Sequence, residues 1–431
     1  EALMATDDRT RERVIETVHA ARHLTGDGCV NRMEDNLPSG PMETFLCHLR
    51  SQVYARTDHE NSPYSLEAET KPTIPGVIES ATELRSALEE LLEPIKNLRR
   101  RLEQRLDNES DELDTDTRRR IEAACKSLEQ RGSNQIQAWI AMLSALEEET
   151  PEDFTDWFSV ERAAGKDLDI GLHRHWIDPT KPLANTLLSQ AHGTVITSAT
   201  LTEGSGSEES DWIGAERRSG ASFVPGVPIR ARFKSPYDYV EHTRVFIIND
   251  VRKDDMDQVS AAYRELFLAS QGGALGLFTA ISRLRTVHQK MGPELDRAGL
   301  TLYSQHVDNL DTSTLIDIFR AERNSSLLGT DAVRDGVDIP GDSLRLIVFD
   351  RVPWPRPTIQ HRARKEHFGG NRYNDSQTRL KLKQAYGRLI RRENDRGIFV
   401  LLDPMMPTRL QNAFPEGVSI QKVGLAEAVS Q

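Results

Sequence analysis

Cysteine is nearly missing: the 431 residues hold three, Cys29, Cys47 and Cys125, far apart and without a C-x-x-C pair. That excludes a disulfide framework and gives no support to a zinc or iron–sulfur site. It predicts reduced thiols in a cytoplasmic protein. Long hydrophobic runs are missing too. Mean hydropathy is −0.54, and no apolar stretch approaches the ~20 residues of a membrane span, so a soluble chain with no membrane partner is expected. Positive charge is not in excess. Lys plus Arg number 55 against 67 Asp plus Glu, a net charge of −12. This argues against a protein that coats nucleic acid indiscriminately, but it leaves room for a basic channel, because binding follows local potential. No G-x-x-x-x-G-K-[ST] phosphate loop occurs; Ala164-Gly165-Lys166-Asp167 lacks both the preceding Gly and the final hydroxyl.

Against these absences, one stretch is rich in chemistry: Gln384-Ala-Tyr-Gly-Arg-Leu-Ile-Arg391-Arg392. On a helix, Gln384, Arg388 and Arg391 recur at i, i+4 and i+7 and share a face. Two permanently charged, forked guanidiniums and one amide suit the charge that spreads over a transferring phosphoryl group. Gly387 leaves room for close backbone approach. A solvated Arg-rich helix is the plainer alternative. Three more stretches pair an apolar run with a polar tip, as buried strands do when they deliver loops to a site. They are Thr194–Leu201 with Ser198, Ala199 and Thr200; Gly273–Ser282 with Thr279 and Ser282; and Leu328–Gly341 with Asp335, Gly336 and Asp338. Ordinary turn chemistry is the alternative for the last.

In this order and spacing, the four stretches resemble the DinG/XPD-like branch of superfamily 2 helicases. The matches are to motif III (Ser198-Ala-Thr-Leu201), motif IV (Leu277-Phe-Thr279), motif V (Asp335-Gly-Val-Asp-Ile-Pro-Gly341) and motif VI (Gln384-x-x-Gly-Arg-x-x-Arg391). Asp335 stands where the family commonly has Glu. The resemblance implies hydrolysis of ATP with Mg2+ between two RecA-like domains, with Arg388 and Arg391 as arginine fingers and Gln384 placing the attacking water or phosphate. Gly336, Asp338, Asp335 and Gly387 would lie by the nucleotide. Ser198, Ala199 and Thr200 would couple ATP state to DNA grip. Thr279 and Ser282 would touch the DNA backbone. Trp354 and Arg356, in Val352-Pro-Trp-Pro-Arg-Pro357, are candidates to stack a base and meet a phosphate; a stiff turn with a packed aromatic is the competing reading. No metal ligands are assigned here, since the resemblance puts those for magnesium upstream.

The expected fold is α/β: a RecA-like, doubly wound, mostly parallel sheet plus an α-helical Arch-like insertion. Residues 1–165 are expected to be the Arch-like domain, 166–205 the end of a first motor domain, and 206–431 the second motor domain. Within the first part, Leu84, Leu88, Leu91, Ile95, Leu98, Leu102 and Leu106 make a helical stripe interrupted by Pro94, where a kink or break is predicted. Gly40–Pro75 reads as loop-rich. Arg99, Arg100, Arg101, Arg105, Arg118, Arg119 and Arg120 are candidate phosphate contacts or, more plainly, a solvated face. His173–Ile177 reads as a strand returning to the first motor domain, and Glu203–Ser219 as an exposed loop. Strands are then expected at Arg244–Ile248, Ala274–Thr279, Thr301–Ser304, Ser326–Thr330, Leu344–Phe349 and Gly397–Leu402, alternating with crossover helices.

The function expected from the resemblance is an ATP-dependent DNA helicase acting in DNA repair on single-stranded or forked DNA. The chain, starting Glu1-Ala2-Leu3, would be its C-terminal portion, partnered by a first motor domain upstream in the same polypeptide. The alternatives are a nucleic-acid-dependent ATPase that remodels without unwinding and, were the chain complete, a non-enzymatic nucleic-acid- or protein-binding module.

Overall fold

The computed structural model describes residues 7–24, 37–57, 64–109, 113–163, 165–336 and 338–431. Cys29, the Glu1-Ala2-Leu3 start and Val337 of motif V lie outside them, as do the side chains of Asp335 and Gly336. The described chain divides into two compact units, one of residues 1–178 with 357–364, the other of 179–356 with 365–431.

The first unit is a helical bundle on a small sheet. Its helices are α1 (Asp8–Arg22), α2 (Pro41–Ala55), α3 (Val77–Asn108), α4 (Thr115–Ser127) and α5 (Gln135–Ser144). The stripe buries Leu84, Leu88, Leu91, Ile95, Leu98 and Leu102 along α3. Pro94 does not break this helix. Apolar residues packed on both sides of the proline hold the chain helical despite the lost backbone bond.

Three expectations need correction here. Gly40–Pro75 contains α2 and strand β1 (Leu66–Glu69). The helical reading to Gly165 misses strand β2 (Phe154–Ala163). The strand containing His173 and His175, β3 (Lys166–Trp176), pairs antiparallel with β2 in the order β1-β2-β3, and so it is not a strand of a parallel motor sheet. Phe158 and Val160 of β2 face the bundle core, and that burial fixes the register.

The second unit is a doubly wound α/β domain. Strands β4 (Thr243–Ile248), β5 (Ala274–Leu277), β6 (Leu302–Ser304), β7 (Ser326–Gly329), β8 (Leu346–Phe349), β9 (Gly397–Leu401) and β10 (Ser419–Val423) form a seven-stranded sheet in the order β10-β4-β9-β8-β5-β7-β6. Every neighbouring pair is parallel. Buried residues on both faces form two cores, one around Ile347, Phe349 and Phe399, the other around Tyr263, Phe267 and Val348, as expected when crossover helices cover both sides. Strand β10 has no counterpart among the expected strands.

Two further corrections fall in this unit. Thr194–Leu201 is not a strand: the run is irregular, with Val195 91% exposed. Its β-branched composition suits a strand, but no neighbouring strand among the described residues supplies a ladder. Glu203–Ser219 is largely helical, as α6 (Glu208–Ser219), with the Ser207 hydroxyl capping its start and Gly220 in the left-handed conformation at its end.

Candidate nucleotide and nucleic-acid site

The helix expected to carry motif VI, α7 (Asn371–Tyr386), stops at Tyr386. Gln384 is on its last turn, so the stretch closes a helix where the spacing predicted one through Arg391. The cause lies in the next four residues. Leu389 and Ile390 are buried in the core with Tyr386 and Phe399, which draws the chain off the helix axis. Gly387 is the terminating residue, its N–H donating to the Lys383 carbonyl at 2.9 Å.

Arg391 is then fixed through its backbone from both sides. Asp395, itself buried, accepts the N–H groups of Arg391 and Arg392 at 2.8 and 2.7 Å. The Tyr237 hydroxyl donates to the Arg391 carbonyl at 2.8 Å. The guanidinium is half-exposed. Its Nε lies 3.0 Å from Asp338 Oδ1, off the hydrogen-bond direction, since that nitrogen is buried without a hydrogen-bond partner. Motifs V and VI therefore meet. Asp338 is held in turn through its carbonyl, which accepts Arg320 Nε at 3.0 Å. The Gln384 amide makes no side-chain hydrogen bond among the described residues.

A second group of polar residues gathers where β5, β8 and β9 end, the ligand-facing edge of a doubly wound sheet. Asp350, fully buried after β8, accepts the Thr279 N–H at 3.2 Å and Arg283 Nε at 2.6 Å. Burial pushes its carboxyl up, and Arg283 pulls the other way. Arg283 donates again to the Lys253 carbonyl at 2.9 Å. Asp403, after β9, accepts Lys253 Nζ at 3.1 Å and the Val352 N–H at 3.2 Å. These bonds fix the two loops that carry Thr279 and Trp354. Thr279 is half-buried, Ser282 is exposed at the start of helix α8 (Ile281–Arg297), and Trp354 and Arg356 are exposed. Arg356 Nη2 reaches to 3.5 Å from the Thr279 carbonyl, so the two loops share a face.

Ser198, Ala199 and Thr200 make a local turn: the Thr200 N–H donates to Ser198 Oγ at 3.1 Å. Ser198 and Ala199 are exposed and Thr200 is half-buried. Asp350, Arg283, Asp403, Tyr237 and Asp395 went unread in the sequence. Asp350 and Asp403 carried a signal, each being an acid directly after an apolar strand. Tyr237 and Asp395 carried none.

Residues 263–420 match the family model of the helicase C-terminal domain, and the curated relatives are named DinG and YoaA. The second unit holds a DinG-like superfamily 2 helicase C-terminal region. The 3'-5' exonuclease DinG of Bacillus subtilis is 28% identical over 293 residues, 65% of this chain and 31% of that protein. The ATP-dependent helicase DinG of Mycobacterium tuberculosis is 36% identical over 157 residues, 35% of this chain and 23% of that protein. The ATP-dependent DNA helicase YoaA of Escherichia coli is 27% identical over 186 residues, 41% of this chain and 28% of that protein. The chain thus spans less than a third of the length of these relatives. The DinG-like region includes β5 through β9, and with them Thr279, Asp338, Trp354, Gln384 and both arginines of motif VI.

Proposed function

We propose that this chain is the C-terminal portion of a cytoplasmic, ATP-dependent DNA helicase of DinG type, which couples ATP hydrolysis to movement on single-stranded DNA and to unwinding of forked DNA. The observation that carries this reading is Arg391: its backbone is fixed by Asp395 and Tyr237 and its guanidinium is half-exposed beside Asp338. A preset cation of this kind stabilises developing charge without reorganising at the moment of reaction.

The residues present fit the phosphoryl end of a nucleotide. Arg391 Nε is buried without an aligned acceptor, and the Gln384 amide makes no side-chain hydrogen bond among the described residues. The described residues hold no group of three or more His, Cys, Asp or Glu placed for a metal ion, and magnesium would be held by residues of a first motor domain in the same polypeptide. ATP with magnesium supplies the transferable phosphoryl group. Arg388 and Arg391 neutralise charge on it, and Gln384 orients the attacking water. Asp338 holds Arg391 in place, with the backbone around Asp335 and Gly336 flanking the nucleotide and Gly387 ending the helix beside it. Thr279 and Ser282 grip a DNA phosphate, Arg356 a second, and Trp354 stacks a base. Ser198, Ala199 and Thr200 couple the nucleotide state to that grip.

The test is Arg388→Ala in the protein carrying the complete motor. ATP binding should stay within a few-fold while DNA-stimulated turnover falls by about 10³ or more. Unchanged turnover removes the finger assignment. A strand-displacement assay on forked DNA separates a helicase from an ATPase that remodels without unwinding.

A further inference from the structure

The segment directly after the Ser198–Thr200 turn is fastened at successive residues. The Leu201 carbonyl accepts Arg218 Nη2 at 2.8 Å. The Thr202 carbonyl accepts Lys383 Nζ at 2.7 Å. The Glu203 carboxylate pairs with Arg379 Nη2 at 3.0 Å, with the two side chains only 10% and 11% exposed, and it lies 4.0 Å from Arg218 Nη1. At Gly204, where φ is +78°, a Cβ would sit 2.3 Å from the Asn412 carbonyl oxygen, so the backbone passes where only glycine fits. The Ser205 N–H donates to the buried Asp211 at 2.7 Å.

Two of these anchors share one helix. Arg379 and Lys383 are a turn apart on α7, and Lys383 immediately precedes Gln384. Both side chains are committed to the segment, so neither serves the phosphoryl-facing group directly. Lys383 is also desolvated, its ammonium pushed down by burial, and Arg379 Nε is buried without a hydrogen-bond partner. Buried charges without a structural alternative resist displacement, because breaking one pair strands the other partner. The turn of Ser198–Thr200 is meanwhile the exposed end of the same segment.

We infer that Arg379 and Lys383 form a clamp that ties Leu201–Glu203 to α7, so that displacement of the Ser198–Thr200 turn moves Gln384 and the arginines that follow it. This rests on the motor reading above, and it makes Arg379 and Lys383 positioning residues. A clamp of this kind has a signature that loss of folding lacks: it separates the basal rate from the nucleic-acid-stimulated one.

The experiment uses the protein with its complete motor and follows ATP turnover with and without single-stranded DNA. Lys383→Met should keep the basal rate and the KM for ATP near wild type while stimulated kcat falls about 10-fold, a typical coupling magnitude. Lys383→Arg, which keeps a cation within reach of the Thr202 carbonyl, should recover most of the stimulation. If Lys383→Met keeps full stimulation, or loses basal and stimulated turnover in equal proportion, the clamp is refuted while the motor reading stands. If the wild-type protein shows no DNA-stimulated turnover at all, the motor reading falls and the clamp with it.

Discussion

Two arginine-rich stretches, one in each unit, look alike in sequence and are used differently. In α3, Arg99 pairs with Glu103 and Glu129 at 3.3 and 3.0 Å, Arg101 with Asp7 and Glu109 at 2.6 and 2.8 Å, and Arg105 with Glu109 at 3.0 Å. Each of these cations is neutralised inside its own bundle, several of them one helical turn away. Arg101 and Arg105 are largely buried in these pairs, unlike the solvated face that is the plainer expectation for the stretch. In motif VI the arginines follow the end of a helix, and Arg391 is held by its peptide groups, which leaves the guanidinium partly exposed beside an aspartate that is itself 70% exposed. Arg101 and Arg105 are thus held through their side chains, whereas Arg391 is held mainly through its backbone, with Asp338 beside its guanidinium.

The largest effect expected from that contrast is in turnover. Arg391→Ala in the complete motor should cost about 10³ in DNA-stimulated ATP hydrolysis, whereas Arg99→Ala should leave it unchanged. A comparable loss for Arg99 would show that exposed pairing in α3 hides a phosphate contact. Next comes Asp350→Ala, which strands the Arg283 guanidinium in the interior. We expect a loss of about 3–5 kcal/mol in denaturant unfolding of the second unit. Arg99→Ala should cost the first unit no more than ~0.5 kcal/mol by the same measurement, as for other exposed pairs.

A smaller effect concerns acid. Burial pushes the Asp7 carboxyl up, but hydrogen bonds from Thr10 and Arg101 outweigh it and hold the group down to about 2, below an ordinary aspartate at about 3.9. A folded value below the unfolded one contributes stability that is complete above the unfolded value and is lost as pH falls from about 4 toward 2. The denaturant midpoint of the first unit should therefore drop over that window. Asp7→Asn, which keeps a helix-capping side chain, should flatten the drop. An identical acid profile in the variant would place the sensitivity elsewhere.

The strands of the second unit were legible because their burial is two-sided. Leu346–Phe349 and Gly397–Leu401 are short apolar runs, each followed within two residues by an acid, Asp350 or Asp403, at the ligand edge of the sheet. Strand β10 was not legible, since Gln421 and Lys422 are exposed and β10 lies at the edge of the sheet, where burial leaves little imprint on composition. Thr194–Leu201 misled in the opposite direction, having the residues of a strand without a ladder. In motifs V and VI the identities pointed to Asp338 and Arg391 but the geometry did not follow from spacing. Where the helix ends depends on Leu389 and Ile390 reaching the core and on Asp395 closing the loop, both tertiary effects. Lys383 and Arg379 read as ordinary helix charges for the same reason: their partners are some 180 residues away in sequence.

The first unit is not a continuous piece of chain. Ile359 donates its N–H to Glu67 at 2.8 Å, Arg364 Nε donates to the Ile177 carbonyl at 3.1 Å, and Pro357–Arg364 groups with residues 1–178. Cutting the polypeptide at Asp178 would therefore not liberate a whole domain. It would leave Glu67 and the Ile177 carbonyl without donors, and an excised fragment would need the eight-residue patch grafted back to recover its native edge. The same interleaving means that the polypeptide crosses from one unit to the other three times, at 178, 356 and 364. A protease nicking only one of these crossings would leave both units joined.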